Sequence, residues 1–368
     1  MCSSTKRYIN EGSDMNKLPE RIRIKDIARL ANVSVGTVDR VIHGRSGVSE
    51  VSKKRVEEIL KQLDYQPNMY ASALASNKKY LFGCLLPRHL AGEYWTAVEE
   101  GINEAVETYS DFNTSVKICY YDPYDYRSFA ASSEEILAQE PDGIMMAPTA
   151  PQYTRNFIGR LNEQHIPYIY IDSNIKDTAA LAYYGQNSRQ SGYFAARMLM
   201  LLARDEKEIV IFRKIHEGIV GSNQQENREI GFRQYMKEYH PSCNILELDL
   251  RAESNDGDNQ MLDDFFRAHP TVNNGITFNS KAFIIGEYLR NRKRTEFKLI
   301  GYDLLERNVT CLKEGSVSFL IAQQPELQGF NGIKSLCDHL IFKKEVTSIN
   351  YMPIDLLTAE TIDYYHSK

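Results

Sequence analysis

The 368-residue sequence has no apolar run approaching the ~20 residues that a membrane-spanning helix needs, so no such helix is expected. Its first stretch, MCSSTKRYINEGSDMNKLPERIR, lacks the apolar segment of a secretory signal. A cytoplasmic protein is expected, with residues 1–22 as a disordered leader and Met15 as an alternative start. The six cysteines, Cys2, Cys84, Cys119, Cys243, Cys311 and Cys337, are scattered and form no C-x-x-C pair. Neither a metal site nor a disulfide framework is expected from them, and reduced, mostly buried thiols are. The eight histidines are dispersed as well. No Walker-A lysine loop, G-x-S-x-G elbow or H-E-x-x-H pair occurs. Nothing therefore nominates a nucleophile and base, and neither an enzyme nor a bound cofactor is expected.

What the sequence does have is a charge asymmetry hidden in a net charge of −5. Residues 17–79 hold 13 Lys/Arg against 7 Asp/Glu, a net of +6, whereas residues 80–368 net −11. A small basic module ahead of a large acidic one suggests that only the first meets a polyanion. At this length two or three compact units are expected.

The basic module opens with IKDIARLANVSVGTVDRVIHG. Ile24, Ile27, Ala28 and Ala31 recur at helical spacing, and Asp26 sits where a negative charge suits the helix dipole. Asn32 and Val33 break the pattern. Ser34 is a candidate N-cap for a second helix, with Val35, Val38, Val41 and Ile42 as its apolar stripe. Two short helices joined by a tight turn make a helix-turn-helix. Off the second stripe lie Gly36, Thr37, Asp39, Arg40 and His43, a face suited to a major groove. Arg40 has the fork to grip a guanine edge, and Ser34 and Thr37 suit phosphate or base. Asp39 is repelled by DNA unless it pairs with Arg40 or accepts from a cytosine amine. A purely structural helical hairpin is the alternative.

A third helix follows, with Val51, Val56, Ile59, Leu60 and Leu63 expected inward and Lys53, Lys54 and Arg55 near a DNA backbone or simply solvated. Pro67 then separates a short segment that Asn68 can cap, helical to about Ser76. About two turns do not persist alone in water.

Residues 24–79 resemble the DNA-binding headpiece of the LacI/GalR family. The match rests on D-I-A-x-x-A-x-V-S-x-x-T-V-x-R-V-I, on Val48 and Ser49 before the third helix, and on the hinge Y-x-P-N-x-x-A-x-x-L-A. The resemblance implies DNA contacts from Ser34, Val35, Gly36, Thr37, Arg40, His43 and Asn68. It also implies that Leu74 is a wedge in the minor groove of a pseudo-palindromic double-stranded operator bound by a homodimer. The alternative for Leu74 is a core contact with a paired hinge helix. Val35 and Gly36 stand where some members carry larger polar residues, which shifts base reading toward Arg40 and Thr37.

From Tyr80 onward strands and helices alternate: LFGCLLP, SVKICYY, DGIMMAP, PYIYID, EIVIF, NILELDL, NGITFN and KLIGYD read as strands. That alternation means a parallel sheet, and its length suggests two doubly wound lobes. Ligands bind beyond the carboxyl ends of such strands, which nominates Arg88, Tyr94, Trp95, Pro148, Asp172, Asn279, Asp303 and Gln323. Flat aromatics with planar polar groups suit a sugar, and a nucleobase nearly as well.

Residues 81–368 in turn resemble the periplasmic sugar-binding-protein fold that serves this family as a sensor, through GEYWTAVEEGI, IDS, NREIGF, IGYD and IAQQPELQG. The implied fold is a small all-α helix-turn-helix headpiece plus an α/β, two-lobed, doubly wound parallel-sheet domain. Its expected parts are 23–66 (headpiece), 67–79 (hinge helix and linker) and 80–368 (sensor). The N-lobe takes about 80–187 and 324–352, and the C-lobe about 188–323 and 353–368. Tyr94 and Trp95 would form an aromatic wall. Asp172, Arg228, Asn279, Asp303 and Gln323 would hydrogen-bond the effector, with Arg228 forking to vicinal hydroxyls. The bland alternatives are Trp95 in the core, the two aspartates as helix caps, and Arg228 paired with Glu226 or Glu229. The function implied is a repressor whose operator affinity a sugar or sugar derivative sets. A solute-binding protein or a sugar-modifying enzyme is disfavoured by the headpiece and by the missing catalytic motifs.

Overall fold

A computed structural model describes residues 22–365 apart from 43, 64, 66–68, 149–150, 204–206, 216–222 and 252–254. Residues 1–21 of the expected leader, His43 and Asn68 lie outside the described residues. The chain divides into two compact units, Met1–Ser72 and Ala73–Lys368.

The first unit holds α1 (Ile24–Ala31), α2 (Val35–Ile42) and α3 (Glu50–Gln62). Each boundary has a local cause. The Asp26 carboxylate accepts the Arg23 amide at 3.0 Å, closing the first turn of α1. Asn32 ends α1 in the left-handed conformation (φ 50°), which asparagine tolerates better than most residues. Two residues later Ser34 Oγ accepts the Thr37 amide at 3.1 Å and starts α2. Ser49 does the same for α3, accepting from Ser52. Ile27, Ala28, Ala31, Val38 and Val56 form the core of the unit, with Ile59, Leu60 and Leu63 packed against it.

Two expected inward residues are corrected. Val35 is 52% exposed and Val51 is 68% exposed. Val51 precedes Val56 by five residues, about 140° around the helix from the buried stripe. Val35 is the first residue of α2 and lies beyond the core contacts of that helix. The hinge helix α4 (Met69–Leu74) is also shorter than expected, ending at Leu74 rather than about Ser76.

The second unit begins with β1 (Tyr80–Pro87), α5 (Tyr94–Thr108), β2 (Thr114–Tyr121), α6 (Tyr126–Leu137), β3 (Gly143–Met146), α7 (Pro151–Glu163), β4 (Tyr168–Ile171) and β5 (Ala182–Gly185). It continues through α8 (Ser188–Leu202), β6 (Glu208–Lys214), α9 (Asn223–Tyr239), β7 (Asn244–Leu250), α10 (Asn255–Ala268), β8 (Asn274–Thr277) and α11 (Ala282–Asn291). It closes with β9 (Lys298–Tyr302), α12 (Glu306–Lys313), β10 (Phe319–Ala322), α13 (Pro325–Leu340), β11 (Ile349–Tyr351) and β12 (Asp355–Leu357).

These strands make two six-stranded sheets, ordered β11-β5-β4-β3-β1-β2 and β12-β10-β9-β8-β6-β7. The orders are equivalent, so the lobes repeat one plan. The inner strands β3, β4 and β8 are buried along their whole length, as strands covered on both faces are. The chain passes between the sheets after β5, after β10 and after β11. The expected all-parallel arrangement has one exception: β12 pairs antiparallel with β10. Only Met352, Pro353 and Ile354 separate β11 from β12. The chain thus leaves one sheet at its carboxyl end and enters the other from the same side, which reverses the strand. Among the described residues no helix is long and apolar enough to cross a membrane.

Candidate ligand cleft and DNA-reading helix

The carboxyl ends of the parallel strands in the two lobes border one cavity of about 220 Å3. Arg88, Tyr94, Trp95, Asp172, Arg228, Asn279, Asp303 and Gln323 all line it, as does Pro148.

Asp172 follows β4 and Asp303 follows β9, the same strand position in each sheet. Both are buried, and both adopt the left-handed conformation (φ 64° and 68°). Neither caps the helix that follows. Burial pushes the Asp172 carboxyl up to about 7. Arg228 opposes that rise and Asp303 adds to it, while hydrogen bonds from Tyr94 and Gln224 pull it back. Burial raises Asp303 too, against the pull of Arg228 and Gln323.

Arg228 sits one turn into α9 and is only 1% exposed. Its Nη1 donates to the Phe278 carbonyl at 2.8 Å, and its guanidinium lies 3.9 Å from the centre of the Tyr302 ring. Nε and Nη2 are buried without a hydrogen-bond partner among the described residues. Arg228 does not pair with Glu226 or Glu229: Glu229 is engaged by Arg213 and Arg233. Buried charged donors left unfilled are costly.

A glutamine relay holds the floor. Gln224 Nε2 donates to the Asp172 carbonyl (3.1 Å) and to Gln323 Oε1 (2.8 Å), and Gln323 Nε2 donates to Asp303 Oδ1 (2.5 Å). Gln328 accepts from the Asp172 amide at 2.9 Å and donates to the Tyr94 hydroxyl at 3.1 Å. Tyr94 is thus buried within the cavity lining and held by Gln328. Trp95, perpendicular to it at 5.0 Å between ring centres, is partly exposed. Asn279 accepts the Lys281 amide at 2.8 Å, which fixes its loop. Arg88 is exposed at the rim. Across the cleft Glu93 meets Lys281 at 3.1 Å. Burial works against the Glu93 carboxylate, but the Leu90 amide and Lys281 hold it below its ordinary range.

Gln224, Gln328 and the Glu93–Lys281 pair were not among the residues nominated from sequence. Gln224 and Gln328 lie on helices rather than at strand ends. Gln224 precedes Arg228 by four residues, which puts both on one helix face, and that spacing was the available signal.

Asp172→Asn tests the electrostatics. A carboxyl that titrates near 7 when folded and near 3.8 otherwise costs stability progressively as pH rises between those values. The amide cannot ionise and escapes that loss. The ligand-free variant is expected to match the parent at pH 3 or below and to exceed it by on the order of 4 kcal/mol at pH 8. Denaturant unfolding across pH checks this, and parallel stability curves would contradict it.

In the headpiece α2 presents Ser34, Val35, Gly36 and Arg40 exposed, with Thr37 half-buried. The Ser34 and Thr37 hydroxyls bond each other at 2.9 Å. Asp39 pairs with Arg45 at 3.1 Å, not with Arg40. That pairing partly neutralises the acid and leaves Arg40 outside any ion pair among the described residues. Nothing within 3.4 Å crowds Gly36, so the backbone there is open to close approach. Leu74 is 55% exposed at the end of α4.

Known proteins share both parts. Residues 23–68 match the family described as bacterial regulatory proteins, lacI family, and residues 82–344 match the periplasmic binding protein domain. A Bacteroides fragilis crystal structure provisionally described as a LacI transcriptional regulator is 72% identical. It covers 78% of this chain and 100% of that one, with a TM-score of 0.77. The HTH-type transcriptional repressor PurR of Klebsiella pneumoniae is 26% identical over 88% of this chain and 91% of its own length. The glucose-galactose binding protein GanP of Geobacillus stearothermophilus shares the fold at 18% identity, covering 77% of this chain and 99% of that one with a TM-score of 0.67. The chain spans 61% of ExuR of Bacillus subtilis and 45% of catabolite control protein A of Staphylococcus aureus, the first curated relatives it matches. A headpiece of the lacI type joined to a periplasmic binding protein domain places this chain in the LacI family of bacterial regulatory proteins.

Proposed function

We propose that the protein is a cytoplasmic transcriptional repressor, without enzymatic activity, whose affinity for a pseudo-palindromic operator is set by a sugar or sugar derivative in the cleft. The observation that carries this reading is Arg228. Arg228 lines a cavity flanked by two buried carboxylates and carries two buried donors without a partner among the described residues, in a chain that also bears a DNA-reading headpiece. A polyol supplies what that set lacks: each hydroxyl donates to a carboxylate and accepts from the guanidinium. Arg88, Trp95, Asn279 and Gln323 complete the proposed effector site.

Two chains acting as a homodimer would place two recognition helices on symmetric half-sites. Ser34, Val35, Gly36, Thr37 and Arg40 face the DNA in this scheme, with His43 and Asn68 as further candidates. Leu74 from each chain enters the central minor groove. Control arises because the ligand favours one disposition of the lobes, and only a difference in affinity between states transmits control.

Selection of bound sequences from a randomised DNA library tests the function directly, and a two-fold symmetric site is expected. Recovery of no symmetric site, with or without sugars present, overturns the reading. On the selected site Arg40→Ala is expected to weaken binding by roughly 1–3 kcal/mol and relax preference at one position. Unchanged sequence preference would remove Arg40 from base reading.

A further inference from the structure

Further aromatic side chains follow, in sequence, the strand ends that border the cavity. The segments that follow β2 and β3 deliver Pro123, Tyr124 and Pro148 to the cavity lining. Two residues past Tyr124, Tyr126 opens α6, and Tyr153 stands in the first turn of α7. Their rings stack at 4.6 Å between centres, inclined by 12°. Tyr126 is 48% exposed, and neither ring belongs to the core of its lobe. The Arg127 guanidinium lies 5.8 Å from the centre of the Tyr126 ring and is itself open to solvent. Tyr153 is half-buried and Tyr126 exposed, so the stacked pair buries less apolar surface than a core pair and contributes correspondingly less to the fold. Flat phenol faces beside a guanidinium are what a sugar ring needs: a surface for its C–H face and a donor for its hydroxyls.

We propose that Tyr124, Tyr126 and Tyr153 form a second ring-binding subsite at the cleft edge, and that the effector is a glycoside of at least two linked rings. One ring occupies the cavity at Arg228, and the next stacks on the tyrosine pair with Arg127 as donor. The proposal rests on the reading of the cavity as a sugar site.

Calorimetric titration of the intact protein tests it. The probes are the monosaccharides glucose, galactose and arabinose and the disaccharides maltose, cellobiose, lactose and melibiose. At least one disaccharide is expected to bind about tenfold tighter than either of its constituent sugars, the gain of one aromatic stacking contact. In the Tyr126→Ala, Tyr153→Ala double variant that gain is expected to vanish, while monosaccharide affinity stays within about twofold and shows that the cavity is intact. Monosaccharides binding as tightly as every disaccharide would overturn the subsite and leave the sugar reading standing. A double variant that binds the disaccharide as well as the parent does would overturn it too. Binding of none of the seven sugars would overturn both.

Discussion

Arg228→Ala is expected to lower effector affinity on the order of 100- to 10,000-fold while leaving operator binding by the ligand-free protein unchanged. The magnitude follows from the bonds lost. Hydrogen bonds from a charged donor contribute about 1.5–3 kcal/mol each, and Nε and Nη2 are the two donors without a partner among the described residues. The guanidinium also opposes the upward shift of both buried carboxyls. Its removal pushes Asp172 and Asp303 further toward their neutral forms, which weakens them as acceptors as well. Arg228→Lys is expected to recover only part of the affinity, because an ammonium cannot fork to two neighbouring hydroxyls. Calorimetric titration of both variants measures this. Wild-type affinity in Arg228→Ala would move the ligand away from α9.

Gly192→Ala is expected to destabilise the second unit by about 3 kcal/mol or more and to weaken the effector site with it. A Cβ on Gly192 would stand 1.8 Å from the Arg228 carbonyl oxygen and 2.7 Å from its Cα, which are backbone atoms that cannot swing aside. The contact is reciprocal, since a Cβ on Gly231 would stand 1.8 Å from the Arg189 carbonyl oxygen. Helices α8 and α9 therefore cross with no room for a methyl group, and this crossing sets the position of the Arg228 backbone. Overpacking of this kind costs typically about 1–3 kcal/mol and more where backbone must move. Gly159→Ala is the control. Gly159 lies on α7, and a methyl group there would meet nothing within 4 Å. Alanine at that position is expected to add up to about 1 kcal/mol through helix propensity. Denaturant unfolding of the two variants should separate them in sign. Equal stabilities would contradict the close crossing.

The headpiece was legible because its signals are local. Asn32, Ser34 and Ser49 end or start helices through their own side chains and backbones, and those positions announce themselves in any sequence. Val35 and Val51 show the limit of periodicity, which finds a stripe but not where the partner helices stop covering it. In the second unit the strand-end rule reached Asp172, Asp303 and Gln323, because apolar runs mark where strands stop. It could not reach Arg228, which stands on a helix and was found through the resemblance carried by NREIGF. Gln224, on the same face one turn earlier, was missed for the same reason. The Glu93–Lys281 contact joins residues far apart in sequence, and neither carries a local mark of the other. The reversed β12 follows from the side on which the chain enters its sheet, a property of the assembled lobes rather than of the residues Asp355–Leu357.

The most direct measurement is operator affinity, by fluorescence anisotropy on the selected DNA site, with and without a saturating concentration of a sugar that calorimetry shows to bind. A change of tenfold or more is expected in the parent protein, corresponding to a coupling of at least about 1.4 kcal/mol, and no change is expected in Arg228→Ala at the same sugar concentration. Equal operator affinity in the parent with and without the bound sugar would contradict a cleft that governs DNA binding.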